Sequence, residues 1–268
     1  MPTYVPLTDP DDARAVPYRE VRERDLAGRD GFMAEGEVVL EKLIRLSTHR
    51  PASVLIAEKR RARLEPLLAE LPDEVPVYVA AQPVLDAVAG FHLHRGILAV
   101  GERAPPPSPD DLLAGLPARA TVVVLCGLAN HDNVGGVFRN AAAFGADAVL
   151  LDATSCDPLY RKAIRVSVGA TLLVPWTRLA PGVDPVALLA AHGFETIALS
   201  PSGETVLSQL RRPAKVAALF GTEGPGLPAE VLARTRSVRI PMAGGFDSLN
   251  VAATSAVVLH HLAFAAEG

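Results

Sequence analysis

TVVVLCGLANHDNVGGVFRNAAAFGADAVLLD, residues 121–152, decides the fold class. It opens on an unbroken apolar run at 122–125 and passes through a polar, glycine-bearing turn. A helical pattern follows at 137–144, then a second apolar run at 148–151. Two short strands without polar alternation, joined by a helix, form a parallel pair with both faces covered. Further apolar runs at 196–199, 216–220 and 238–240, with helical stretches at 160–166 and 185–192, extend the pattern. The carboxyl-terminal part is therefore expected to be α/β, a mostly parallel sheet with helices on both faces.

Upstream, the spacing predicts a helix over 35–46, a buried strand at 53–57, a helix over 61–71, a strand at 75–79, a helix at 82–88 and a strand at 96–100. This reads as a small α/β domain, residues 1–103. ERAPPPSPDD, residues 102–111, carries prolines that cannot continue a helix or a ladder, so 104–118 is expected to be a linker. Residues 119–268 form the second domain.

The chain has 268 residues, 49% of them hydrophobic, enough for a buried core. Its mean hydropathy is +0.24. The amino terminus lacks the charged head and apolar run of a signal peptide, and the apolar stretch 251–266 is interrupted and short for a membrane span, so a soluble cytoplasmic protein is expected. Cys126 and Cys156 have neither metal spacing nor a disulfide framework and read as reduced thiols; no metal is expected. The net charge of −4 argues mildly against wholesale nucleic-acid binding. Basic residues nevertheless cluster at 18–29, 58–63, 160–165 and 210–215, which permits a local phosphate-binding surface.

Three polar, glycine-rich runs sit at the carboxyl ends of expected strands, where open α/β sheets place ligands. In the first, Asp132 and Asn133 suit a helix start, Gly135 and Gly136 permit a close approach, and Arg139 falls in the first turn or two, as a phosphate or carboxylate clamp. The second, LFGTEGPGLP at 219–228, places Gly221, Gly224 and Gly226 around one carboxylate, Glu223. The third, RIPMAGGFDSLNVAATSAVVLHHLAF, starts at Arg239; Ser248 reads as a helix N-cap and Asn250 as an amide one turn into an apolar helix, where it needs a partner. That helix, expected over 250–266, is apolar on nearly every face, which implies burial at a subunit interface. A nicotinamide-dependent oxidoreductase is disfavoured, because the glycine order is wrong for a dinucleotide loop.

Together NVGGVFRNAAAFGAD, FGTEGPGL and IPMAGGFDSLNVA resemble, in order, the three motifs of the SpoU-type branch of the SPOUT methyltransferases, over roughly 121–266. VAATSAV stands where VSVAAAV is more usual. The region 35–100 resembles the small ribosomal-protein-like RNA-binding domain that often precedes this catalytic domain. The resemblance implies a trefoil knot, a homodimer, and S-adenosyl-L-methionine as the methyl donor. It implies backbone contacts to the cofactor's adenosine from Gly221, Ile240, Pro241 and Leu249, with Ser200 on a neighbouring strand. Arg139, Asn133, Glu223, Ser248 and Asn250 would form the catalytic and substrate-binding group, with Arg139 acting across the dimer. The implied activity is methylation of an RNA ribose 2′-hydroxyl, with ribosomal RNA favoured over transfer RNA, in a housekeeping or a drug-resistance role. A catalytically silent RNA-binding protein is the rival reading. Arg139 is suggested as the base in the family, but a guanidinium normally only donates, so anchoring a phosphate and stabilising the alkoxide is the alternative.

Overall fold

The computed structural model describes residues 2–19, 31–222, 224–244, 246 and 248–264. Glu223 and most of the basic run at 18–29 lie outside the described residues. The chain divides into two compact units, one of Met1–Pro105 with Leu159–Leu173, the other of Pro106–Pro158 with Val174–Gly268.

In the first unit the chain runs β1 (Tyr4–Pro6), β2 (Gly31–Glu35), α1 (Glu37–Arg45), β3 (Arg50–Ala57), α2 (Arg61–Leu68), β4 (Val77–Ala80), α3 (Gln82–Ala89) and β5 (Ile97–Glu102). The strands form a mixed sheet in the order β1-β4-β3-β5-β2, with β1, β4 and β3 parallel and β5 antiparallel to β3 and β2. The apolar run at 54–57 is almost wholly buried, and α1 turns Val39, Leu40 and Leu43 inward. Tyr18, also buried, donates its hydroxyl to Ser53 Oγ at 2.6 Å, which satisfies a polar group the core would otherwise strand.

The second unit contains α4 (Pro109–Ala114), β6 (Ala120–Leu125), α5 (His131–Ala143) and β7 (Ala148–Leu151). After α6 (Arg161–Val166), which belongs to the first unit, come β8 (Trp176–Arg178), α7 (Pro185–Ala191), β9 (Glu195–Leu199), β10 (Thr205–Val206), β11 (Lys215–Phe220), α8 (Ala229–Leu232), β12 (Arg236–Arg239) and α9 (Val251–Phe264). Its seven strands are ordered β10-β12-β9-β11-β6-β7-β8 and every pairing between them is parallel. All six residues of β6 are buried, as a strand covered on both faces requires. β11 lies between β6 and β9 in register, Phe220 opposite Leu125, so the turns leaving β6, β11, β9 and β12 emerge along one edge.

Two boundaries differ from the sequence reading. Residues 104–118 hold more than a linker: Ser108 Oγ accepts the Asp111 amide at 3.1 Å, Pro109 takes the first helical position, and Leu112 and Leu113 enter the second unit's core. The prolines stop a ladder but then start a helix. The segment Leu159–Leu173, expected in the second domain, groups with the first unit. Arg161 Nη1 donates to Glu35 Oε2 at 2.6 Å and Lys42 Nζ to the Val168 carbonyl at 2.6 Å. Glu35 is a buried carboxylate, and Arg161 neutralises it.

Candidate functional site

A cleft of about 600 Å³ opens at the carboxyl ends of β9, β11 and β12. Ser200 and Pro201 come from the turn after β9, Gly221, Thr222, Gly224 and Gly226 from the turn after β11, Ile240 and Met242 from the segment after β12. Ser248, Leu249, Asn250, Val251 and Thr254 complete it at the amino end of α9. Parallel strands stop with unpaired amides and carbonyls, which makes such turns good at holding a ligand by backbone groups. No described lining residue is ionisable; the walls are aliphatic and aromatic (Leu199, Phe220, Val238) with hydroxyls and one amide.

Glycine is required where these turns press together. A Cβ at Gly221 would lie 2.5 Å from the Gly226 carbonyl carbon, because the turn folds back through a Thr222–Gly226 bridge. Gly224 and Gly226 adopt φ of +97° and +72°, which side chains resist. A Cβ at Gly127 would collide with Thr222 Cγ2, so the turn after β6 abuts the turn after β11. Beyond that seam is a second cleft of about 540 Å³, lined by residues 127–131, Asn133 and the shared Thr222.

Asn250 links the two clefts. Its Oδ1 accepts the amides of Ala252 (2.9 Å) and Ala253 (3.3 Å), and its Nδ2 donates to Asn133 Oδ1 at 2.9 Å. It is therefore the cap of α9, not a residue one turn into it, and its side chain is exposed; Ser248 precedes the cap by two positions. Asn133 is buried in the first turn of α5. One turn further along α5, a Cβ on Gly136 would lie 2.6 Å from Ala252 Cβ. Asn140 Nδ2 then reaches the Ala252 carbonyl at 2.7 Å and the buried Ser255 Oγ at 2.9 Å. Asn133, Gly136 and Asn140 thus form one stripe that clamps α9.

Arg139 is placed otherwise than expected. α5 begins at His131, capped by Asn130 Oδ1 on the Asp132 amide at 2.8 Å, so Arg139 stands in the third turn and not near the helix's amino end. It lies roughly 120° around the helix from Asn133. Its side chain is exposed, lines neither cleft, and has no partner among the described residues. Pro241 is exposed and outside the cleft lining, whereas Ser200, Gly221, Ile240, Ser248, Leu249 and Asn250 all border it.

A brace the sequence reading passed over holds the turn after β6. Burial works against the charge of Asp152, but hydrogen bonds from Ser155 Oγ (2.6 Å), Thr154 Oγ1 (2.7 Å) and the Gly127 and Ser155 amides prevail and hold its carboxyl below the usual carboxylate range. Arg178 Nη1 closes the same turn on the Asp152 and Ser155 carbonyls at 2.8 and 2.7 Å. The only sequence signal was an acidic residue ending an apolar strand. Burial, and secondarily the Asp152 charge, pushes the neighbouring Cys126 thiol up to about 12, which makes it a poor nucleophile. Among the described residues no cluster of His, Cys, Asp and Glu could hold a metal, and no helix is long and apolar enough to cross a membrane.

A parallel α/β unit with a glycine-turned cleft at its strand ends, whose described lining is aliphatic, aromatic and hydroxyl-bearing, defines a class that binds a small ligand largely by backbone groups. The chain belongs to the SpoU rRNA Methylase family, whose sequence model matches residues 120–260. It is 40% identical over 264 residues to a protein of Mycobacterium bovis named as an uncharacterized tRNA/rRNA methyltransferase, covering 95% of this chain and 90% of that one. The fold is shared with an AdoMet-bound rRNA methyltransferase from Sinorhizobium meliloti (TM-score 0.82, 22% identity, 97% of each chain). It is shared too with the SpoU methyltransferase AviRb from Streptomyces viridochromogenes in complex with AdoMet (TM-score 0.79, 21% identity, 94% of this chain and 98% of that one).

Proposed function

We propose that this chain methylates a ribose 2′-hydroxyl of ribosomal RNA, using S-adenosyl-L-methionine, as a cytoplasmic homodimer. The observation that carries the reading is the glycine-turned cleft formed by Ser200, Gly221, Ile240, Leu249 and the Asn250 cap, joined through Thr222 and Asn133 to a second cleft. The residues fit the cofactor: about 600 Å³ lies in the usual range for a ligand of this size, and apolar walls suit a purine. Turn amides and carbonyls at Gly221, Ile240 and Leu249 would hold the adenosine, with Ser200 beside them; Pro241 fixes the backbone after Ile240. When bound, S-adenosylmethionine supplies an electrophilic methyl group on sulfur.

The chain's own residues then have to place a ribose and deal with one proton. Asn133 and Asn250, held in one hydrogen-bonded pair, fix the wall between the clefts, Ser248 and Asn250 position the hydroxyl, and the Glu223 carboxylate takes up its proton. Arg139 anchors the neighbouring phosphate and stabilises the developing alkoxide, a donor's role that suits a guanidinium. Its absence from the lining of its own chain's clefts supports action in the partner protomer's cleft. The dimer reading is supported further by α9, which buries Ser255, Val258, Leu259 and Leu262 but leaves Val257 and Phe264 exposed, the latter at 73%. The trefoil knot that the three motifs imply belongs to the same reading.

The test is to incubate the chain and cofactor with ribosomal and transfer RNA and map 2′-O-methylation. Modification of one ribosomal nucleotide is expected. Methylation of transfer RNA alone would change the substrate, and a base methyl group would overturn the ribose assignment.

A further inference from the structure

A third cleft, of about 260 Å³, lies wholly within the first unit, and the proposed reaction does not use it. Arg60, Arg95 and Arg165 converge on it from three elements: the helical turn Glu58–Arg60 after β3, the segment between α3 and β5, and α6. Two of the basic runs seen in the sequence, 58–63 and 160–165, are brought together here. Two carboxylates also border the cleft, but both are engaged: Glu35 by Arg161 at 2.6 Å and Glu37 by Arg63 at 3.0 Å. The three converging arginines have no carboxylate partner among the described residues.

The cleft is shaped around these charges. Arg60 Nε is buried and has no hydrogen-bond partner among the described residues, a state that native proteins seldom leave unanswered. Arg95 lies across Gly36, where a Cβ would come within 3.0 Å of its Cδ and 3.2 Å of its Nη1. Gly36, at φ +95°, opens α1 without a side-chain cap, so the positive end of a nine-residue helix faces the same space. On the far wall Val168 holds φ +53°, strained for a β-branched residue, with its carbonyl pinned by Lys42.

We propose that this cleft binds a phosphodiester of the substrate RNA, away from the methylated ribose. The inference rests on the RNA-methyltransferase reading. Guanidinium forks match phosphate oxygens, and a buried N–H donor without a partner is answered by an anion. The basic runs flanking the cleft favour a polyanion over a lone phosphate.

The experiment uses the full chain and the variants R95Q/R165Q and R60Q/R95Q/R165Q, checked for folding by circular dichroism. Affinity for deproteinised bacterial ribosomal RNA is measured against salt, and affinities for S-adenosylmethionine and inorganic phosphate separately. R95Q/R165Q, which alters only exposed side chains, keeps the test open if the triple variant misfolds. Each variant is expected to weaken RNA binding by about tenfold or more and to flatten the log–log salt slope by roughly 0.7 for each phosphate no longer neutralised, with cofactor affinity unchanged. Folded variants with the parent's RNA affinity and slope overturn the proposal. So does loss of phosphate binding with RNA binding intact, which makes the cleft a small-anion site. A parent that binds the cofactor but no RNA refutes the functional reading itself, and this inference with it.

Discussion

Replacing Gly136 with alanine tests whether the seam between α5 and α9 sets the cleft. The new methyl would sit 2.6 Å from Ala252 Cβ, against an ordinary carbon–carbon separation of roughly 3.8 Å. The helices must part by the difference, about 1.2 Å, or twist locally. Overpacking of this kind costs about 1–3 kcal/mol, while alanine for glycine inside a helix returns about 1 kcal/mol. The net expectation is a loss of up to about 2 kcal/mol, a fall in Tm of several degrees in a unit of this size. The same displacement would stretch the Asn140–Ala252 bond from 2.7 Å and the Asn133–Asn250 bond from 2.9 Å out of hydrogen-bonding range. Since Asn250 and Val251 border the cleft, S-adenosylmethionine should bind about tenfold more weakly, the worth of one such bond. Calorimetric melting and cofactor titration provide the assay. Adding Ala252→Gly should restore cofactor affinity by returning the space, though not all the stability. A Gly136→Ala protein that melts higher, as propensity alone dictates, and binds the cofactor normally would refute the close seam.

Three other outcomes are expected. Arg139→Ala should cut single-turnover methyl transfer by roughly two to three orders of magnitude while leaving cofactor affinity nearly unchanged, and lysine should rescue poorly; an alanine variant within about threefold of the parent would remove Arg139 from the chemistry. Cys126, with its folded pKa raised to about 12, should resist iodoacetamide at pH 8 in the native chain and react once unfolded, as mass spectrometry would read. Because the raised value lies above the unfolded one of about 8.5, its contribution to stability is complete below that pH and is lost as pH rises toward 12. Light scattering at micromolar concentration should report a dimer, and Phe264→Glu, which charges the exposed face of α9, should shift it toward monomer.

Most of the strands that the sequence revealed form an apolar run of four residues or more. β6, β7, β9 and β11 appear as apolar runs because both faces are covered; their expected and observed limits differ by a residue or two. β1, β8 and β10 did not appear, since two or three residues have no period to read, and neither did the five-residue β2, whose short apolar stretch follows a charged run and ends on Glu35. The return of Leu159–Leu173 to the first unit was invisible for another reason: the Arg161–Glu35 pair spans 126 positions, and helical spacing says nothing about which sheet a helix covers. In α5 the misreading was of start and not of type. Asp132 and Asn133 suit a helix start, but the glycine pair breaks the helical pattern, which is read only from 137; only the tertiary packing against Ala252 explains why glycine is used inside a helix.

That displaced start changes what α5 can do. Had the helix begun at the glycines, Arg139 would lie in its first turns, beside free amides that attract anions. With the cap at Asn130, the amino end of α5 faces the second cleft through Asn130, His131 and Asn133, while Arg139 stands two turns on, about 120° around the helix from Asn133. One face of the helix is committed to α9 by Asn133, Gly136 and Asn140, and Arg139 stands outside the lining of the cleft that α9 borders. A phosphate anchored by Arg139 must therefore approach from outside the chain's own cleft. Under the proposed dimer, one active site is divided between two protomers, and catalysis depends on assembly. Mixing an Arg139→Ala chain with one impaired in cofactor binding by a change at Gly221 should restore methyl transfer in the mixed dimers, where one cleft is complete. Mixtures no more active than either variant alone would place Arg139 in service of its own protomer.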